Sequence, residues 1–563
     1  MNILFINPPQ IPLDNFDVVT CRKKGYPAYP PMGLGYLAGE IKQSKKHQVE
    51  LYDNHLEGML EVIHDEKVDG SVFWKLLENK LVSITTPDIV GISIMFSCLY
   101  KNLQKTIDIV RKIHPLSKIV VGGSHASMAT ESLYDIKSID YIFTYESEET
   151  FIDFLDRISD GTEEIKGIAG VHSRDKSGNF IPCKEIPKLD IGSRPWPAWK
   201  LLGVDKYYLT GRFGGAYAIP GSANKPFAPL LTSRGCRGEC AFCTVHKIMG
   251  RKVRMRPCKD VVDEIEYLVK EFNVRFFEVL DDDFTFSLPR AKDICREIIR
   301  RKLDIVWTAK NGLIICSLDR EVISLMSESG CRYVQVGVES GNEEMLKWIR
   351  KPLTIPKLLE VRQIFRDYPE IYLAGYFIIG FPNETVEMMR DTYNLAIKLE
   401  LDWSAITMAQ PLPNSRMYEA FVTEGIIKED EINFNDLTFF HNTLGNKYLS
   451  LREILDMWYE FNIGVNFINN PNLLSGEKLK LERAIRDFTH VGREIAPGHA
   501  MAIFCLGKAY EKLSDLEKAK SHIDEALRIA DKDNEWKKWF HKFNIKKYDE
   551  FESEKGLRIA SVK

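Results

Sequence analysis

Three cysteines, Cys236, Cys240 and Cys243, stand at C-x3-C-x2-C spacing just after the apolar run Leu230-Leu231. Thiolates are soft ligands suited to iron–sulfur clusters or zinc. Glycines between and before the thiols, Gly235 and Gly238, let the backbone wrap tightly around a metal centre. Three thiolates can hold three irons of a [4Fe–4S] cube and leave the fourth without a protein ligand, open to bind and reduce a substrate. The alternative is a zinc site with Cys258 or His246 as fourth ligand. Zinc sites usually arrive as two C-x2-C pairs, or as paired cysteines and paired histidines, and neither pattern is present. Of the eleven cysteines, Cys98, Cys295, Cys316, Cys331 and Cys505 fall in apolar or helical surroundings and are expected in the core. Cys21, Cys183 and Cys258 are expected in loops.

The elements that must position this motif begin with a chain of 563 residues, enough for about three or four domains. A hydrophobic content of 44% and a charged fraction of 28% are those of a soluble globular protein. A net charge of -4 gives no reason to expect nucleic acid. No apolar run reaches membrane-spanning length, and Met1-Asn2-Ile3-Leu4-Phe5 leads into a strand rather than a signal peptide. The expectation is a cytoplasmic protein with reduced thiols.

Residues 1–160 alternate strand and helix patterns. Ile3-Leu4-Phe5-Ile6 ends at Asn7-Pro8-Pro9, where proline stops ladder pairing. Further apolar strands follow at Val49–Tyr52, Ile89–Met95, Lys118–Val121 and Tyr141–Phe143, separated by amphipathic helices. Such alternation predicts a parallel, doubly wound, Rossmann-like sheet. Ligands of these sheets bind outside the carboxyl ends of the strands, which here carry Asn7, Pro8, Pro9, Ser93, Gly122, Gly123 and Glu146. Residues 161–225 read as a linker punctuated by Pro182, Pro187, Pro195, Pro197 and Pro220.

From 226 to 430 six strand–helix units succeed one another, predicting a partial (βα)6 barrel, open where the eight-stranded form is closed. Polar residues collect at the strand ends, where barrels place their chemistry: Asp281, Asp282 and Asp283, then Lys310, Glu339, Ser340 and Gly380. Residues 431–563 are helical and charged. Leu506, Gly507, Tyr510, Ala519, Ile523 and Ala526 fit one tetratricopeptide repeat, although solenoids need about three. A helical cap on the barrel mouth is the expectation.

The cysteine spacing with Phe242 before the last thiol resembles the radical S-adenosylmethionine (SAM) enzymes. Asn7-Pro8-Pro9, Pro30–Leu37, Val121–His125 and Glu146–Thr150 resemble the cobalamin-binding domain that precedes the barrel in one branch of them, with Ser147 where glycine is usual. Trp196 and Trp199, in a proline–aromatic segment, resemble its interdomain joint. The resemblance covers roughly residues 1–430. It implies a [4Fe–4S] cluster on the three cysteines, and SAM held by Phe242, Asp282, Asp283, Lys310, Glu339, Ser340 and Gly380. It also implies cobalamin at the N-terminal strand ends. Arg212-Phe213-Gly214-Gly215, in the linker, is a further candidate for touching a cofactor. Asp283, Lys310 and Asn383 replace asparagine, arginine and glycine, and Gln410–Ser415 departs further.

Asp53-Asn54-His55-Leu56-Glu57-Gly58 fits D-x-H-x-x-G, the motif that supplies a histidine to cobalt from below. It follows the second strand instead of the first, so His55 is expected in a loop and cobalamin without a histidine ligand. The implied function is a cobalamin-dependent radical SAM methyltransferase acting on an unactivated carbon or phosphorus of a small molecule. Flavodoxin or ferredoxin would supply electrons, and the C-terminal helices would offer a protein contact. The alternatives are a non-methylating oxidoreductase or cyclase with the same cofactors, and a cobalamin-binding sensor or scaffold.

Overall fold

The computed structural model describes residues 1–545 apart from 24–25, 27, 163–164, 166, 184–185, 187–188, 212–221, 223–224, 312 and 429–443. Pro187, Pro220 and Arg212-Phe213-Gly214-Gly215 therefore lie outside the described residues. The chain forms two compact units: Met1–Arg332 with Ile349–Pro352 and Gln410–Thr443, and Tyr333–Trp348 with Leu353–Ala409 and Leu444–Lys563. Both are mixed α/β with parallel strands.

The first unit opens with strands β1 (Asn2–Asn7), β2 (Gln48–Asp53), β3 (Ile89–Ser93), β4 (Lys118–Gly122) and β5 (Tyr141–Phe143). They pair in parallel in the order β2-β1-β3-β4-β5. Side chains alternate across a strand, and β1 feeds a core on each face. Leu4 and Ile6 pack with Leu103, Ile107 and Val110 of the helix Tyr100–Ile113. Ile3 and Phe5 pack with Leu34 and Ala38 of the helix Met32–Ser44 and with Phe151 and Phe154 of the helix Glu148–Ser159. A strand apolar at every position is the consequence of that two-sided burial.

The sheet does not stop where the alternating pattern ends. β6 (Val171–Arg174) and β7 (Phe180–Ile181) extend it antiparallel, inside the stretch read as linker. These strands are short and bounded by turn residues, so periodicity does not reveal them. Two further readings need correction. His55 is not in a loop: it lies in the first turn of the helix Asn54–His64, buried beside the Phe73 ring. Cys21 and Cys258 are helical as well, the former buried in Val18–Arg22 and the latter opening Cys258–Phe272.

The rest of the first unit carries the cysteine motif. β8 (Phe227–Leu230) pairs in parallel with β11 (Phe276–Val279), and β11 with β12 (Val306–Ala309). Phe277, Val279 and Trp307 share an apolar crevice with Val261, Ile265 and Ile294 of the two covering helices. Alternation then sends Glu278 and Thr308, partners in register, to the opposite face. Between β8 and β11, β9 (Ser233–Arg234) and β10 (Arg254–Met255) form a two-stranded antiparallel ribbon.

The second unit holds β13 (Cys331–Glu339) from Tyr333 on, β14 (Tyr372–Ile379) and β15 (Trp403–Met408), parallel in that order. Its C-terminal helices satisfy the edge of β15. Asn466 takes the Ser404 N–H at 2.8 Å and donates to the Ser404 carbonyl at 2.8 Å, and Trp458 Nε1 donates to the Ile406 carbonyl at 2.7 Å. An uncovered edge strand invites unwanted pairing, so covering it is a structural task. The C-terminal helices thus cover this sheet edge. The same region also reaches the carboxyl end of β14: Asn446 donates to the Phe381 and Glu384 carbonyls, Lys447 N donates to the Pro382 carbonyl at 3.0 Å, and Ile454 lies against Gly380. Among the described residues no helix is long and apolar enough to cross a membrane.

Candidate functional site

The cysteine loop runs from β9 to β10 and is fixed at several points within the first unit. Gly235 turns the chain out of β9 at φ +94°, and a Cβ there would lie 2.8 Å from the Lys252 carbonyl oxygen. Only glycine fits both conditions. Cys243 N donates to the Cys240 carbonyl at 3.0 Å, closing a turn between the two thiols. Ala241 is buried; its N–H donates to the Ile349 carbonyl at 2.7 Å, and its carbonyl accepts from Met417 N at 2.8 Å.

The three aspartates after β11 grip this loop from below. Asp281, fully buried, accepts from Thr232 N and from the Thr232 and Ser233 hydroxyls at 2.5–2.6 Å. Asp282 accepts from Gly235 N at 3.1 Å, and burial pushes its carboxyl up to about 6. Asp283 makes a two-pronged pair with Arg237, at 2.6 and 3.0 Å, inside the cysteine motif itself. Charge-assisted, two-pronged bonds of this kind are the strong ones. Asp281, Asp282 and Asp283 thus shape the cysteine loop, and Arg237 and Arg234 join the site without having been singled out by motif.

Two of the thiols flank Gly238. A Cβ on that residue would sit 3.4 Å from Cys236 Sγ and 3.6 Å from Cys240 Sγ. Burial raises Cys236 to about 11 and Cys243 to about 12, and metal binding is what would draw their protons off. Among the described residues no three Cys, His, Asp or Glu side chains converge closely enough to hold a single metal ion. The donor set, three thiolates with an open turn between them, fits three irons of a cluster.

Lys310, expected at a cofactor, lies 3.7 Å from Glu278, which also accepts from the Tyr29 hydroxyl at 3.0 Å. Phe242 stacks under Lys351 Nζ at 5.9 Å.

Along the N-terminal sheet the expected residues do share one edge. Asn7 is buried and donates to Asp53 at 2.9 Å; Asn102 holds the Pro9 carbonyl at 2.9 Å. Ser93 and Gly122 are partners in register. Gly123 has φ +113°, and a Cβ would come within 2.4 Å of the Ile94 carbonyl oxygen. Strand order reverses between β1 and β3, and ligands of such sheets sit at that crevice. Met95 and Phe96, which follow β3, are 46% and 43% exposed. Large, half-exposed apolar side chains at the switch point fit a broad, flat ligand. Glu146, in the turn after β5, has its carboxylate engaged by Arg234 and Arg254.

In the second unit Glu339 ends β13 at φ +67°, an uncommon conformation for a non-glycine residue. It is buried, and Ser340 beside it contacts the Thr392 hydroxyl at 3.2 Å. Gly380 follows β14 at φ +83°. Glu384, which caps no helix here, accepts from Gly380 N at 2.7 Å and Phe381 N at 3.2 Å.

Residues 230–396 match the model of the Radical SAM superfamily. An uncharacterized methyltransferase of Pyrococcus horikoshii is 30% identical over 401 residues, 71% of this chain and 80% of that protein. The chain belongs to the radical SAM enzymes. Cytidylyl-2-hydroxyethylphosphonate methyltransferase of Streptomyces wedmorensis is 26% identical over 434 residues, 71% of this radical SAM enzyme and 79% of its relative. Among solved structures, the cobalamin-dependent SAM radical enzyme OxsB, with aqua-cobalamin and SAM bound, shares the fold. Its TM-score is 0.64 at 18% identity, covering 96% of this chain and 83% of that one.

Proposed function

We propose that this radical SAM enzyme is a cobalamin-dependent methyltransferase that places a methyl group on an unactivated carbon, or phosphorus, of a small molecule. The observation that carries the reading is the pairing, in one compact unit, of the cysteine ribbon with a doubly wound sheet whose switch point is open and apolar. Relatives that methylate, over most of their length and this one's, support it. The domain plan that fits is a cobalamin-binding sheet at 1–160, a joint at 161–225, a partial (βα)6 barrel at 226–430 and a helical region at 431–563. In the last of these, Gly507 packs against Ile523 and Ala519 as in one tetratricopeptide-like repeat, a surface for a protein contact. The reduced thiols suit the cytoplasm, where flavodoxin or ferredoxin would donate electrons.

When bound, the cofactors supply reductive cleavage of SAM and a methyl group for transfer. The protein's part is to hold and align. Cys236, Cys240 and Cys243 ligate the cluster, and Asp282 and Asp283 fix their loop. Phe242, Lys310, Glu339, Ser340 and Gly380 are the residues to hold SAM, Glu339 by accepting hydrogen bonds from ribose or ammonium. Asn7, Pro8, Pro9, Ser93, Gly122 and Gly123 line the corrin edge. His55, on the edge strand's helix and buried against Phe73, gives cobalt no lower ligand.

Anaerobic turnover with SAM deuterated at its methyl group, in host metabolite extract, tests the proposal by mass spectrometry. A product that gains one labelled methyl group is expected. A product that loses hydrogen and gains no label would replace this reading with oxidation or ring closure.

A further inference from the structure

β9 and β10 pair only two residues each, and Arg254 lies directly opposite Arg234. Like charges directly opposite across an antiparallel pair are destabilising, and a two-stranded ribbon is marginal by itself. Yet this ribbon carries the whole cysteine loop. The charge that offsets the repulsion comes from the turn after β5. Glu146 divides its carboxylate between the two strands, Oε1 at 2.9 Å from Arg234 and Oε2 at 2.6 Å from Arg254. Glu148 adds a second acceptor to Arg234 at 2.6 Å, and the Tyr36 ring lies under the same guanidinium at 4.6 Å. Arg254 also donates to the Leu189 and Met249 carbonyls, so it is held in place to face Arg234 whether or not Glu146 is present. Arg234, Glu146 and Glu148 are nearly buried, where a missing partner costs most.

We propose that Glu146 is a positioning residue: a carboxylate clamp that joins the two arginines of the cysteine ribbon and so makes the cluster loop depend on the N-terminal sheet. In this role Glu146 needs no contact with cobalamin. The role given to the cysteines rests on the function proposed above; the clamp itself does not.

The test is hydrogen exchange of the ribbon amides, 233–255, in the full-length metal-free chain, followed by iron retention against a chelator after anaerobic reconstitution. Glu146→Ala should speed ribbon exchange about tenfold and shorten iron retention, while cobalamin binding stays at the wild-type level. Glu146→Ala with Arg254→Met removes the clamp and one of the repelling charges together, and should recover most of both losses. Glu146→Ala that exchanges and retains iron like wild type but loses cobalamin would overturn the proposal, as would a double variant worse than the single one. A wild-type chain that takes up no cluster would count against the proposed function, and the exchange measurement would still judge the clamp.

Discussion

A carboxyl group closed off from water titrates late, and Glu384 is such a group. It is fully buried, Oε1 has no partner, and burial outweighs two backbone N–H bonds to push it from the ordinary 4.5 up to about 8. The folded chain therefore keeps a proton that the unfolded chain has lost across about pH 4.5 to 8. Stability from this group is full below that window and falls as pH rises through it, by about 1.4 kcal/mol per unit at most. Glu384→Gln, which mimics the protonated acid, should flatten that slope in chemical denaturation measured from about pH 5 to 8; an unchanged slope would assign it elsewhere. At this scale the sequence was most legible where ligands lie close together, as in Cys236–Cys243. It was silent where partners are distant: Arg234 meets Glu146 across 88 positions, and nothing local to either residue records the other. The sequence marks Asp282 and Asp283 as candidates for holding SAM, and only the structure shows them turned toward Gly235 and Arg237.

Elements were legible wherever burial imposes a period. Strands apolar at each position announced the two-sided sheet, and the helices between them announced its parallel pairing. β6 and β7 escaped because four and two residues are too few for a period, and His55 was misplaced because its helix starts without an intervening loop. The carboxyl end of β2 shows what ties such junctions. Asp53 caps the helix Asn54–His64 through Leu56 N at 3.0 Å and accepts from Asn7 and, at 2.6 Å, from the Tyr207 hydroxyl. Burial nevertheless raises its carboxyl to about 6. Tyr207→Phe leaves that buried carboxylate short of a donor, and should lower stability by about 1–3 kcal/mol at neutral pH. The loss should shrink near pH 5, where Asp53 is protonated with or without Tyr207, because a neutral acid needs the donor less. Denaturation of both proteins at the two pH values checks this; an equal loss at both would mean that the phenol acts by packing alone.

Across the whole molecule, membership of the radical SAM enzymes and the mixed α/β architecture with parallel strands follow from motif and pattern together. The division of labour among the helices beyond 444 did not, since their covering of the β15 edge depends on Asn466 and Trp458, polar and aromatic side chains that any solvated helix could carry. The central claim is that three thiolates hold a cluster with one iron left for SAM. Mössbauer and electron paramagnetic resonance spectra of the reconstituted chain, recorded before and after adding SAM, test it most directly. The account predicts about four irons and four sulfides per chain, a reduced-cluster signal that shifts on addition of SAM, and loss of both in Cys240→Ala. Stoichiometric zinc without sulfide, or a cluster signal indifferent to SAM, would contradict it.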